Sequence, residues 1–147
     1  LLRMSIKTTL LRDLARQKSN LGRGAVAVVD ERRELFPTSD GTFCFPVGKG
    51  TDVLSGAGKA AGIDMLIRTM NPNWLVMDEI TAPEDCMALL HAGWCGVSIL
   101  ASAHGSNLDD FITRPVYKPL VEGRLFSYCL VMHADKTWKL ERMNQCI

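Results

Sequence analysis

Three short runs constrain what this chain can fold into: Ala25–Val29, Trp74–Met77 and Val97–Ser102 are almost continuously apolar and rich in β-branched residues. A strand covered on both faces reads this way, whereas a half-exposed strand alternates apolar and polar residues. Between the first two runs, Ile63, Leu66, Ile67 and Met70 follow the i, i+3, i+4, i+7 spacing of an amphipathic helix over about 59–70, closed by Pro72. Leu10, Leu11 and Leu14 share a helical face and predict a helix over about 7–19, ended by Asn20 and Gly22. After the second run, Thr81 with Glu84 reads as a capping box with Pro83 in the first turn, and the helix is expected to reach Ala92 and stop at Gly93. Strands alternating with helices need crossover connections, so the expected class is α/β: a mostly parallel sheet with helices on both faces.

The rest of the chain decorates that plan. Residues 36–58 are dense in glycine, proline and other turn formers and predict a long loop, with room for a short strand around Thr42–Phe45. Ser106 is expected to cap a short helix through Ile112, and Leu125–Met132 with Thr137–Arg142 predict C-terminal antiparallel strands. The length of 147 residues allows one domain, 1–147, with a real core. A formal charge of +1 and 47% apolar residues describe an ordinary soluble chain, and nothing in that balance favours nucleic acid or acidic lipid. No apolar run has transmembrane length. Cys44, Cys86, Cys95, Cys129 and Cys146 are scattered and odd in number, which argues against a zinc site or a disulfide framework and for free thiols in a reducing cytosol. His91, His104 and His133 are not clustered, which argues against a histidine-built metal site.

In open α/β sheets, ligands bind beyond the carboxyl ends of the strands. Each of the three runs ends there in polar residues: Asp30-Glu31, Asp78-Glu79, and Ser102 followed by His104. Lys7-Thr8-Thr9 at the start of the first predicted helix resembles the end of a phosphate-binding loop, with Lys7, Thr8 and Thr9 as candidate nucleotide-binding residues. A complete loop would carry glycine at positions 1 and 6, where the chain has Leu1 and Ile6. An apolar strand ending in two acids is a Walker B arrangement. It makes Asp78, with Thr8, the candidate Mg²⁺ residue and Glu79 the group that polarises an attacking water. His104 stands where a γ-phosphate sensor belongs. Arg32, Arg33 and Arg68 are candidates for charge compensation, as arginine fingers across a subunit boundary. Gly48-Lys49-Gly50-Thr51 and Gly56-Ala57-Gly58-Lys59 lack the loop spacing and are read as decoys that precede no suitable helix.

The order of these motifs resembles the stage III sporulation protein AA family, ATPases related to the traffic ATPases of type II and type IV secretion. The residues that carry the resemblance run from Lys7 to Arg16, from Val28 to Arg32 and from Thr51 to Leu54. They continue from Met65 to Pro72, from Val76 to Ile80 and from Ala101 to Ser106, ending near Arg114-Pro115-Val116. The resemblance implies a RecA-like P-loop NTPase core whose N-terminal part is missing here. It implies ATP and Mg²⁺ as ligands, with Lys7 and Thr8 as Walker A, Asp78 and Glu79 as Walker B, and His104 in the histidine box of secretion ATPases. It further implies a cytoplasmic, homo-oligomeric ring, recruited by membrane-complex proteins, that powers a secretion-like channel between mother cell and forespore. Leu1–Ile6 depart from the family's glycine-rich loop, as a fragment read through a shifted frame or a diverged site would. The alternative expectation is therefore a non-hydrolysing structural ring subunit with a degenerate nucleotide site. A nucleic-acid motor is a third reading, disfavoured by the absence of a basic, aromatic-interleaved stripe.

Overall fold

The computed structural model describes residues 2–143, with side chains from Lys7 onward. Its centre is a four-stranded, fully parallel sheet in the order β4-β1-β5-β6, built from β1 (Val26–Asp30), β4 (Thr51–Ser55), β5 (Trp74–Ile80) and β6 (Ser98–Ala103). All five residues of β1 are buried, as the unbroken apolar run requires. Strand residues alternate between two cores. Val26, Val28 and Val76 pack with Leu11 and Ala15 of α1 (Leu2–Asn20) on one face. Ala27, Val29, Leu75 and Met77 pack on the other with Ile63 and Leu66 of α2 (Lys59–Met70) and Leu89 and Ala92 of α3 (Pro83–Trp94). The parallel sheet with helices on both faces is therefore as expected.

Beyond the sheet, α4 (Leu108–Thr113), a 3-10 turn at Pro115–Tyr117 and α5 (Lys118–Glu122) lead to a hairpin of β7 (Tyr128–Met132) and β8 (Trp138–Arg142). That hairpin is antiparallel, pairing Tyr128 with Arg142 and Met132 with Trp138. No helix among the described residues is long and apolar enough to cross a membrane. Cys146 lies outside the described residues, and the other four cysteines are free thiols.

Several boundaries differ from the sequence expectations. The stretch read as loop holds a strand where one was expected, β3 (Thr42–Phe43), but pairs it with β2 (Thr38–Ser39) and also contains the edge strand β4, parallel to β1 with Val53 opposite Val28. The capping residue of α3 is Ala82 rather than Thr81, and Asp85 rather than Glu84 returns to the helix start. Asp85 Oδ2 accepts from the amides of Ala82 at 3.1 Å and Thr81 at 3.0 Å. Pro83 occupies the first helical turn, where its missing N–H costs nothing. That helix runs through Gly93 to Trp94, and the left-handed residue beyond it is Gly96, at φ 85°. Likewise Asn107, not Ser106, caps α4, its side chain accepting from the Asp110 amide at 2.8 Å.

The start of α1 differs most. The helix begins at Leu2, so Lys7 stands in its second turn and not at the end of a loop. Leu, Arg and Met are good helix formers, and without glycine nothing in 2–6 favours the conformations of a phosphate loop. Position 1 lies outside the described residues.

Candidate functional site

The carboxyl ends of β1, β5 and β6 and the first turns of α1 converge on Asp78 and Glu79. Helix α1 runs against the strand direction, which brings its N-terminal half to this edge while Ser19 bonds the Gly50 amide at the other. Lys7 Nζ donates to the Ala103 carbonyl at 2.7 Å, and Thr8 Oγ1 donates to Asp78 Oδ2 at 3.0 Å. Ser102 Oγ donates to Asp78 Oδ1 at 2.5 Å. Thr8 is buried, Lys7 is half-buried, and Thr9 faces outward from the same turn.

Directly after Asp78 the β5–β6 ladder slips: Met77 pairs with Ala101 and Ile80 with Ala103, so two residues of β5 face Ser102 alone. This is a β-bulge. Glu79 occupies it at φ 56°, a left-handed conformation that costs a non-glycine residue on the order of 1–2 kcal/mol. Its amide is satisfied by Ser102 Oγ at 2.8 Å, so one hydroxyl serves both members of the acidic pair. The reversal turns the Glu79 side chain, 20% exposed, toward His104 and Arg32. There Oε1 lies 2.6 Å from His104 Nε2, and Oε2 forms an ion pair with Arg32 at 3.6 Å. Tyr117 Oη lies 3.3 Å from both the Ile80 and His104 carbonyls and braces the bulge against the histidine loop. Burial raises the Tyr117 phenol above its ordinary value, so it stays a donor.

Of the sequence candidates, Lys7, Thr8, Asp78, Glu79, Ser102, His104 and Arg32 are brought together. Arg33 sits in the turn after β1 with its guanidinium near Gly56. Arg68 is not part of the cluster: it is exposed, nine residues along α2 from Lys59, or about 13 Å at 1.5 Å per residue. Asp30, at the strand end next door, is spent on structure. Its carboxylate accepts from the amides of Glu34, Leu35 and Phe36 at 2.9, 3.1 and 2.8 Å.

Lys59 is the residue that the sequence reading missed. Contrary to expectation, Gly56-Ala57-Gly58-Lys59 leads straight into α2, but its lysine turns inward. Lys59 Nζ donates to the Glu79 carbonyl at 2.5 Å and to Thr81 Oγ1 at 3.1 Å, and lies 3.8 Å from Asp85. The Gly56–Lys59 spacing is not that of a phosphate loop, and no local pattern announces a buried lysine.

The donor set suits Mg²⁺ better than any metal that needs a protein cage. Among the described residues, no three His, Cys, Asp or Glu side chains gather to hold an ion. One carboxylate flanked by two hydroxyls, at an edge open to solvent, is what a largely hydrated Mg²⁺ with phosphate ligands requires. The phosphate side fits less well, because residues 2–6 are helical and form no cradle of inward amides. A cavity of about 490 Å³ adjoins the site and shares Lys7, Ser102 and His104 with it, but the rest of its wall, with Leu10, Leu14, Ile99, Leu130 and Leu140, is mostly aliphatic.

The family model for sporulation stage III, protein AA matches residues 3–141. The chain belongs to that family. The stage III sporulation protein AA of Bacillus subtilis (strain 168) is 42% identical over 134 residues, covering 88% of this chain and 44% of the relative. The protein SEEDLING PLASTID DEVELOPMENT 1 of Arabidopsis thaliana is 28% identical over 129 residues, covering 80% of this chain and 17% of that one. This stage III AA family chain thus spans less than half the length of either curated relative. Among solved structures, that of the Legionella pneumophila ATPase DotB aligns with 81% of this chain and 44% of its own, at 16% identity and a TM-score of 0.44.

Proposed function

We propose that residues 1–147 form part of one P-loop ATPase domain, the Mg²⁺-ATP-hydrolysing motor of a stage III sporulation AA protein. The observation that carries this reading is the hydrogen-bonded chain Thr8–Asp78–Ser102 set beside the Glu79–His104 pair. Thr8 and Asp78 would hold Mg²⁺, which when bound neutralises charge on the β- and γ-phosphates. Lys7 carries a compact charge on a flexible stem and reaches the phosphates by exchanging the Ala103 carbonyl for them. Glu79 accepts a hydrogen bond from the attacking water. Its carboxylate has lone pairs beyond its present partners, and Oε2, whose contact is the exposed Arg32 at 3.6 Å, is the oxygen open to that water. His104 then holds the other carboxylate oxygen in place. Water oxygen bonds to the γ-phosphorus as the bond to the bridging oxygen breaks, releasing ADP and phosphate. Arg68, exposed and remote from this cluster, is assigned to a neighbouring subunit's site in a homo-oligomeric ring. The resemblance adds the setting: a cytoplasmic ring, docked on membrane-complex proteins, that powers a secretion-like channel between mother cell and forespore.

The helical run from Leu2 favours a second reading, a non-hydrolysing structural ring subunit. Steady-state ATP turnover with and without Glu79→Gln separates them. The motor reading expects Mg²⁺-dependent turnover that falls at least a hundredfold in Glu79→Gln, with ATP affinity retained, because a positioned base contributes about 10²–10⁴. Turnover unchanged by the substitution removes Glu79 from the chemistry, and no turnover in the parent chain gives the lead to the structural subunit.

A further inference from the structure

Among the described residues, six that are not glycine have a left-handed φ, and Glu79 alone of them lies inside a strand. Something must hold it there. The bulge amide is taken by Ser102, and the bulge carbonyl is taken by Lys59, whose side chain is 8% exposed. Burying an ammonium is costly, and an apolar residue of similar volume would serve packing as well or better. Nζ also does not sit closest to the acid beside it. It is 2.5 Å from the Glu79 carbonyl and 3.8 Å from Asp85, whose Oδ2 accepts instead from the Thr81 amide, the Ala82 amide and the Thr81 hydroxyl. The cation donates to the Thr81 hydroxyl at 3.1 Å, and its shortest bond goes to the backbone oxygen of the residue proposed to meet the attacking water.

We infer that Lys59 is a positioning residue for the reaction: by gripping the Glu79 carbonyl it holds the bulge in its left-handed turn and so aims the Glu79 carboxylate at His104 and the water. The catalytic consequence rests on the ATPase reading, while the grip itself does not. Lys59→Met removes the donors at similar length. Lys59→Met/Asp85→Asn does so without leaving Asp85 unpaired, and the amide oxygen of Asn can still accept from Thr81 and Ala82. Asp85→Asn alone leaves Nζ on the Glu79 carbonyl.

Two readouts test the inference in variants whose amide spectra show a folded chain. The first is the nuclear Overhauser contact between the His104 ring and the Glu79 γ-methylene, which needs no turnover. It is expected to vanish in both Lys59 variants and persist in Asp85→Asn. The second is ATP turnover, where both Lys59 variants should lose about a hundredfold in kcat with KM unchanged, the loss that misplacing a reacting group by about 1 Å brings. A folded double variant that keeps the His104–Glu79 contact overturns the inference. A lost contact with kcat intact overturns its catalytic half. If the parent chain has no turnover, the ATPase reading fails and the contact alone decides the role of Lys59.

Discussion

Asp30 and Asp78 show how far a single residue's meaning depends on what surrounds it. Both end an apolar strand, both are followed by glutamate, and nothing in either run tells them apart. The structure gives Asp30 three backbone amides to hold and gives Asp78 two hydroxyls, from Thr8 and Ser102. The first is a turn-maker, and the second is a carboxylate arranged among groups that exchange readily with water or a cation. Cys86 makes a prediction at the same scale. Its thiol is buried beside Asp85 and donates to the Val116 carbonyl, and desolvation raises its pKa from 9.0 to about 11. A folded-state pKa above the unfolded one stabilises below the unfolded value and loses that contribution as pH rises through the folded one. The unfolding midpoint is therefore expected to fall between pH 9 and 11, and less steeply in Cys86→Ala; equal slopes in the two proteins would contradict the assignment. Tyr117, also raised, accounts for part of the slope that remains. None of this was legible in advance, because the sequence shows a cysteine but not its desolvation.

Elements were legible where periodicity was long and unbroken. Strands β1, β5 and β6 and helices α2 and α3 appear where apolar runs and the 3.6-residue pattern put them, within a few residues. What failed were decisions made by single contacts. Strand β4 lay hidden because Thr51–Ser55 is short and enclosed by glycines, and only its pairing with β1 makes it a strand. The caps of α3 and α4 moved one residue: Asp85 rather than Glu84 takes the amides of Thr81 and Ala82, and Asn107 rather than Ser106 takes that of Asp110. Helix α1 began early because residues 2–6 have helical propensity and no glycine. Gly24 illustrates the opposite case, a residue that its element cannot replace. It precedes β1 at φ 116°, and a Cβ there would lie 2.2 Å from Asn73 Oδ1, which accepts from the Ala25 amide. Gly24→Ala must therefore strain the backbone and break the tie between the starts of β1 and β5. We expect a loss on the order of 2 kcal/mol in urea unfolding; a change within 0.5 kcal/mol, about what an ordinary surface substitution causes, would show that the tie is dispensable.

At the scale of the whole molecule, one geometric fact organises the candidate site. A parallel sheet points all its carboxyl ends the same way, so residues far apart in sequence meet at one edge. Thr8 and Asp78 are 70 positions apart and Glu79 and His104 are 25, yet each pair is in hydrogen-bond contact. That convergence was legible at the ends of β5 and β6 and in the Lys7-Thr8 pair, whereas the acid that ends β1 is spent on its own turn. The bulge that reverses Glu79 and the lysine that grips it were not legible, because both arise from the offset between neighbouring strands. We propose this edge as a Mg²⁺-nucleotide site even though a helix stands where a glycine-rich loop would be. Calorimetric titration of the chain with ATP, in Mg²⁺ and in EDTA, beside Asp78→Asn, tests it most directly. One saturable site per chain, dependent on Mg²⁺ and lost in Asp78→Asn, is expected. Binding that is absent, or indifferent to both Mg²⁺ and Asp78, would contradict it.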